Sequence, residues 1–136
     1  MKWKKLTCFF VSLFIPYSPS QAESSLLLQN ELSSVKVFSL SQNGFIAKKL
    51  PPLLIYEKTL KNRHSTNIFK TIIKDTMSTP EGKAYAACGL WETHKADEIL
   101  LDGKYENLSI TVLKGDILRK EKLSEVVSQI KKHGCN

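Results

Sequence analysis

The alternation of apolar and polar positions is clearest near the C-terminal end, where Leu123, Val126, Val127 and Ile130 fall at i, i+3, i+4 and i+7. That spacing predicts an amphipathic helix. Lys131, Lys132 and His133 follow where the helix dipole favours cations, and Gly134 is placed to cap the end in a left-handed conformation. Farther back, Phe69, Ile72, Ile73 and Thr76, with Ile68 and Met77 beside them, mark a second helix. Ser65 or Thr66 would cap it, and Ser78-Thr79 would end it. The next helix, running to about His94, is announced by Thr79-Pro80-Glu81: a cap, a first-turn proline and an acid at the positive end of the dipole. Gly82, Ala84, Ala86, Ala87 and Gly89 give it a surface that another backbone can approach, so it is expected to be the central, most buried element. Tyr85 and Trp91 flank that surface and read first as core aromatics.

The remaining pattern is weaker. Leu53-Leu54-Ile55-Tyr56 to Leu60 predicts a short helix with Pro52 in its first turn, and residues 96–101 another, ended by Asp102-Gly103. Val35, Val37 and Phe38 begin a short strand, with Asn43-Gly44 as turn chemistry behind it. Leu108, Ile110 and Val112 alternate with Ser109, Thr111 and Leu113 as a strand does. Residues 23–34 are polar and serine-rich, a frayed lead-in or short helix. The expected fold is mainly α: a single small domain of four to five helices with one or two short extended segments. Residues 23–50 form its irregular or short-strand lead-in and residues 51–136 the helical domain.

The N-terminal residues carry an address rather than fold information. Lys2, Lys4 and Lys5 precede an apolar stretch over residues 6–15, Pro16 breaks it, and Ser20-Gln21-Ala22 supplies small residues for a signal peptidase. The expectation is export to the periplasm with residues 1–22 removed after Ala22. The apolar stretch spans about 15 Å of a roughly 30 Å hydrocarbon core, too short for an anchor. Cleavage removes three lysines and no acids, so 114 of the 136 residues remain and the net charge falls from +7 to +4. This mild, scattered basicity argues against a nucleic-acid partner. Of three cysteines, Cys8 leaves with the signal; Cys88 and Cys135 remain, and an oxidising compartment lets them pair.

Groups for catalysis are sparse. His64, His94 and His133 are far apart in sequence, and no Gly-rich phosphate loop or Cys-x-x-Cys pair is present. His94 and Glu98, at i and i+4, make half a metal site, with no third ligand nearby except Asp97. No catalytic residue, metal or cofactor is therefore assigned. The stretch from Thr79 to Leu90, with Tyr85-Ala86-Ala87-Cys88-Gly89-Leu90 at its centre, resembles a motif of small uncharacterised secreted bacterial proteins. In that group the small-residue helix precedes an extended segment and a terminal helix. The resemblance covers residues 78–135, implies a similar fold core and transfers no site residues.

The reading that follows is a small periplasmic, non-catalytic binding protein, similar in kind to immunity proteins and inhibitors, whose partner is a protein. Candidate binding residues are Trp91, Tyr105 and, in a basic loop over residues 114–122, Lys114, Asp116, Arg119, Lys120 and Lys122. The rival readings are a small secreted hydrolase using His94 with Glu92 or Asp97, and an envelope structural or stress protein. Intact-mass analysis of the exported protein should show a chain beginning at Glu23 that gains two hydrogens on reduction. A retained Met1, or no gain, would refute the export reading.

Overall fold

The computed structural model describes residues 21–40 and 48–135. Asn43-Gly44 lies outside them. Five helices and one hairpin follow in order: α1 (Gln21–Ser33), α2 (Pro51–Leu60), α3 (Ser65–Lys74), α4 (Pro80–Glu92), β1 (Ser109–Lys114), β2 (Ile117–Lys122) and α5 (Leu123–His133). The protein is mainly α, as the apolar pattern predicts. No helix among the described residues is long and apolar enough to cross a membrane.

Helix α4 is the centre, and every residue from Glu81 to Leu90 is buried. It packs against α3 on one side and α5 on another, with α1 and β1 also touching it. A helix buried all round cannot show an amphipathic pattern. Its small residues have a steric reason: a Cβ on Gly89 would run into the ring of Phe69 on α3. Tyr85 lies in the core, stacked obliquely on Tyr56 at 5.3 Å and edge-on to Phe38 at 4.8 Å. Its hydroxyl donates to the Ser39 carbonyl (2.7 Å) and accepts from the Ser39 N–H (2.9 Å). Burial pushes its ionisation up to about 12.

Polar ties from α4 reach out in several directions. The Thr79 hydroxyl caps the helix by accepting from Gly82 N–H and donates to the Val35 carbonyl. The Glu81 carboxylate accepts from Thr111 N–H at 3.0 Å, holding β1. Lys83, wholly buried, donates from its ammonium to the carbonyls of Ile72 (3.3 Å), Ile73 (2.9 Å) and Asp75 (2.6 Å). An ammonium has three N–H groups, and here each has an acceptor. The Tyr105 ring completes the cage, 4.4 Å from the nitrogen. Cys88 bonds Cys135 across 47 residues of sequence, and closing such a loop stabilises the fold by about 4 kcal/mol in the chain-entropy account.

Several local expectations are corrected. Helix α3 ends at Lys74 rather than at Ser78-Thr79, because Lys83 takes the Ile72 and Ile73 carbonyls that another helical turn would use. Thr76 and Met77 therefore lie outside the helix and exposed. His64, not Ser65 or Thr66, occupies the capping position, without a side-chain bond. The helix predicted over 96–101 is only a 3-10 turn at Ala96–Glu98, followed by another at Gly103–Tyr105. The polar lead-in is helix α1, whose inward face mixes Ser25, Leu28 and Gln29 with the buried Leu32; a half-polar face leaves no clear period. Gly134 has φ 76° but ψ −162°, outside the left-handed helical region, and the Trp91 ring lies where a Cβ would stand.

Lys83→Met preserves the length of the side chain but strips three carbonyls of their donor, and it should cost about 3 kcal/mol in denaturant unfolding. Burial is the main influence on the Lys83 proton and pushes it below the ordinary value of 10.5, opposed by the Asp75 carboxylate and aided by the Lys104 ammonium. The unfolded chain thus keeps this proton to higher pH than the native one. Stability contributed by this group rises as pH climbs through the native value towards 10.5. The Met variant should lose that alkaline component in a pH series of unfolding curves.

Candidate functional site

Residues 114–122, expected to be a loop, are the turn and second strand of a hairpin. Gly115-Asp116 makes a two-residue turn with Gly115 at φ 60°, and Lys114 pairs with Ile117 across it. Positive φ at the first turn position is what tight hairpins require. Strand β1 then runs antiparallel to β2 with Val112 opposite Arg119, Thr111 opposite Lys120 and Ile110 opposite Glu121. On its other side β1 pairs in parallel with the backbone at Phe38, the short extended segment expected at Val35–Phe38. The strand β2 escaped the sequence pattern because its residues are almost wholly exposed on both faces, so nothing selects an alternation.

Five of the seven candidate binding residues come together here. Lys114, Asp116, Arg119 and Lys120 are all exposed, as is Lys122. Lys114 pairs with Glu121 at 3.5 Å, and the Lys120 ammonium donates to the Thr111 hydroxyl. Arg119, Lys120 and Lys122 have no ion-pair partner among the described residues. Ile117 and Leu118 add exposed apolar surface, at 58% and 62% of their full accessibility. Sequence reasoning passed over these two, since they sit inside a run of charges. Beneath the hairpin, its inner face and α5 enclose an open groove of about 510 Å³ lined by Phe38, Val112, Glu121, Val126 and Ile130.

The other two candidates do not join this surface. Tyr105 is buried, at 8% exposure, with its ring facing the Lys83 and Lys104 ammonium groups. Its expected role at a surface is corrected: it screens a buried cation. Trp91 is half-buried against Gly134 and lines a separate open cleft of about 710 Å³ with Glu92, His94, Ala96 and Asp97. That cleft gathers the histidine and carboxylates of the hydrolase alternative, and His94 adopts φ 61° within it. The His94 side chain makes no hydrogen bond or ion pair to Glu92 or Asp97. No group of three metal-ligating side chains exists among the described residues. The cleft lining also lacks a hydroxyl or thiol.

No protein-family model, curated protein or solved structure matches the chain.

If the hairpin cations serve binding rather than folding, their removal should be nearly silent for stability. The double variant Arg119→Ala/Lys120→Ala should unfold within about 0.5 kcal/mol of the wild type. A larger loss in thermal or urea unfolding would make these residues structural.

Proposed function

We propose that the protein is a small exported, non-catalytic binding protein that acts by covering a protein partner, as immunity proteins and inhibitors do. The observation that carries this is the second strand of the hairpin: three cations without ion-pair partners among the described residues and two large aliphatic side chains share β2, which is exposed along nearly its whole length. Exposed aliphatic residues rimmed by charge are the composition of a contact surface, and scattered single apolar residues would not be. The leader over residues 1–22 and the Cys88–Cys135 bond support a periplasmic setting. The cations then steer an acidic partner, and the aliphatic pair supplies burial on contact.

A hydrolase reading draws on the cleft holding His94, Glu92 and Asp97. It has less support, because among the described residues no orienting bond joins the three and the cleft lining holds no hydroxyl or thiol.

The test is affinity capture from periplasmic extract with the wild type and with Arg119→Glu/Lys120→Glu in parallel. A stoichiometric partner held by the wild type, released by moderate salt and lost from the variant, is expected. Equal recovery on both baits, or no partner under several conditions, would count against this reading.

A further inference from the structure

The backbone of the hairpin has an open side. Phe38 N–H donates to the Thr111 carbonyl, Leu113 N–H donates to the Phe38 carbonyl, and Thr111 N–H donates to Glu81. The polar backbone groups of Thr111 and Leu113 thus face away from β2. Since these groups alternate along a strand, those of Ile110, Val112 and Lys114 face β2 and meet Glu121, Arg119 and Ile117. On β2 it follows that the N–H and C=O groups of Leu118 and Lys120 point away from β1. Residues 117–120 are exposed, and no described element covers that edge.

We propose that an extended, acidic segment of a protein partner adds to this edge as a third strand, pairing with the backbone of Leu118 and Lys120. The proposal rests on the protein-binding reading above and names its mode. Strand addition takes its affinity from main-chain hydrogen bonds and its selectivity from alternating side chains. Here the side chains beside the edge alternate across the sheet: Arg119 is on the inner face, Lys120 and Lys122 on the outer, with Ile117 and Leu118 near the turn. An incoming strand with carboxylates on both faces and an apolar residue towards the turn complements this arrangement. A second copy of the chain does not. Antiparallel pairing of two β2 strands through these outward groups, about a two-fold axis at Arg119 or at Lys120, sets that cation against its own copy, like charges in direct opposition. Lysines on an exposed edge are a common device against such self-pairing; an acidic strand turns the same charges into attraction.

The probe is a short blocked peptide of consecutive glutamates with valine at one end, which puts carboxylates on both faces of an extended strand; the control has lysine in place of glutamate, and binding is followed by amide NMR on the intact protein. The acidic peptide should bind more tightly than ~1 mM, perturbing the Leu118 and Lys120 amides and slowing their exchange. Leu118→Pro removes an outward N–H at a position where an edge strand accepts proline, and should weaken binding about tenfold. Lys120→Glu/Lys122→Glu should weaken it at least as much, about tenfold or more. Peptides N-methylated on alternate residues keep the protein unchanged: one alternate set should abolish binding and the other should be tolerated. Absence of binding, perturbation away from β2, equal behaviour of the two N-methylated peptides, or self-association through β2 would each overturn the proposal. A captured partner indifferent to Leu118→Pro would overturn it while leaving the protein-binding reading intact.

Discussion

The architecture depends on one buried ammonium group. Lys83 carries a charge into the interior, a placement that is costly unless every donor is used. The cost is offset because the last carbonyls of α3 converge on it, at the negative end of that helix's dipole. Three acceptors satisfy three N–H groups, and the Tyr105 ring shields the remaining side. The same contact ends α3, sets the turn before Thr79, and fixes α4 against it. Two helices and a distal tyrosine are thereby held by one side chain.

The rest of α4 extends this arrangement. Thr79, Glu81, Lys83 and Tyr85 are each two apart in sequence, and successive members turn by about 200° around the helix. They consequently reach different neighbours: the Val35 segment, β1, the end of α3 and the Ser39 backbone. Cys88 adds a covalent tie to Cys135, just beyond α5. A central helix with small residues between its ties lets neighbouring elements come close, as Phe69 does over Gly89. The order of polar anchors along one helix thus distributes the surrounding layers.

That distribution also explains why one element is left exposed. Strand β1 is held on its inner face by Ile110 and Val112 and along one edge by Phe38 and Glu81. Strand β2 is held chiefly by β1 and by its junction with α5. Nothing in the core requires its side chains, so its composition is available for contact with another molecule. The interior and this exposed strand are therefore separable parts of the chain.

Local chemistry was legible wherever a residue's role depends on near neighbours in the chain. The apolar period of α5, the Thr79-Pro80-Glu81 start of α4, the alternation of β1 and the pairing of Cys88 with Cys135 all emerge from the amino-acid order, because spacing, capping and valence are short-range or countable. The sites were less legible. Tyr105 looks like a surface aromatic until Lys83 and its carbonyl cage are seen beside it, and β2 looks like a charged loop until β1 supplies its register. Where α3 stops, which aromatic residue is interior, and which backbone edge stays open were decided only by tertiary structure. The physical reason is the same in each case: a hydrogen bond or a burial between residues distant in the chain overrides the preference each segment has alone.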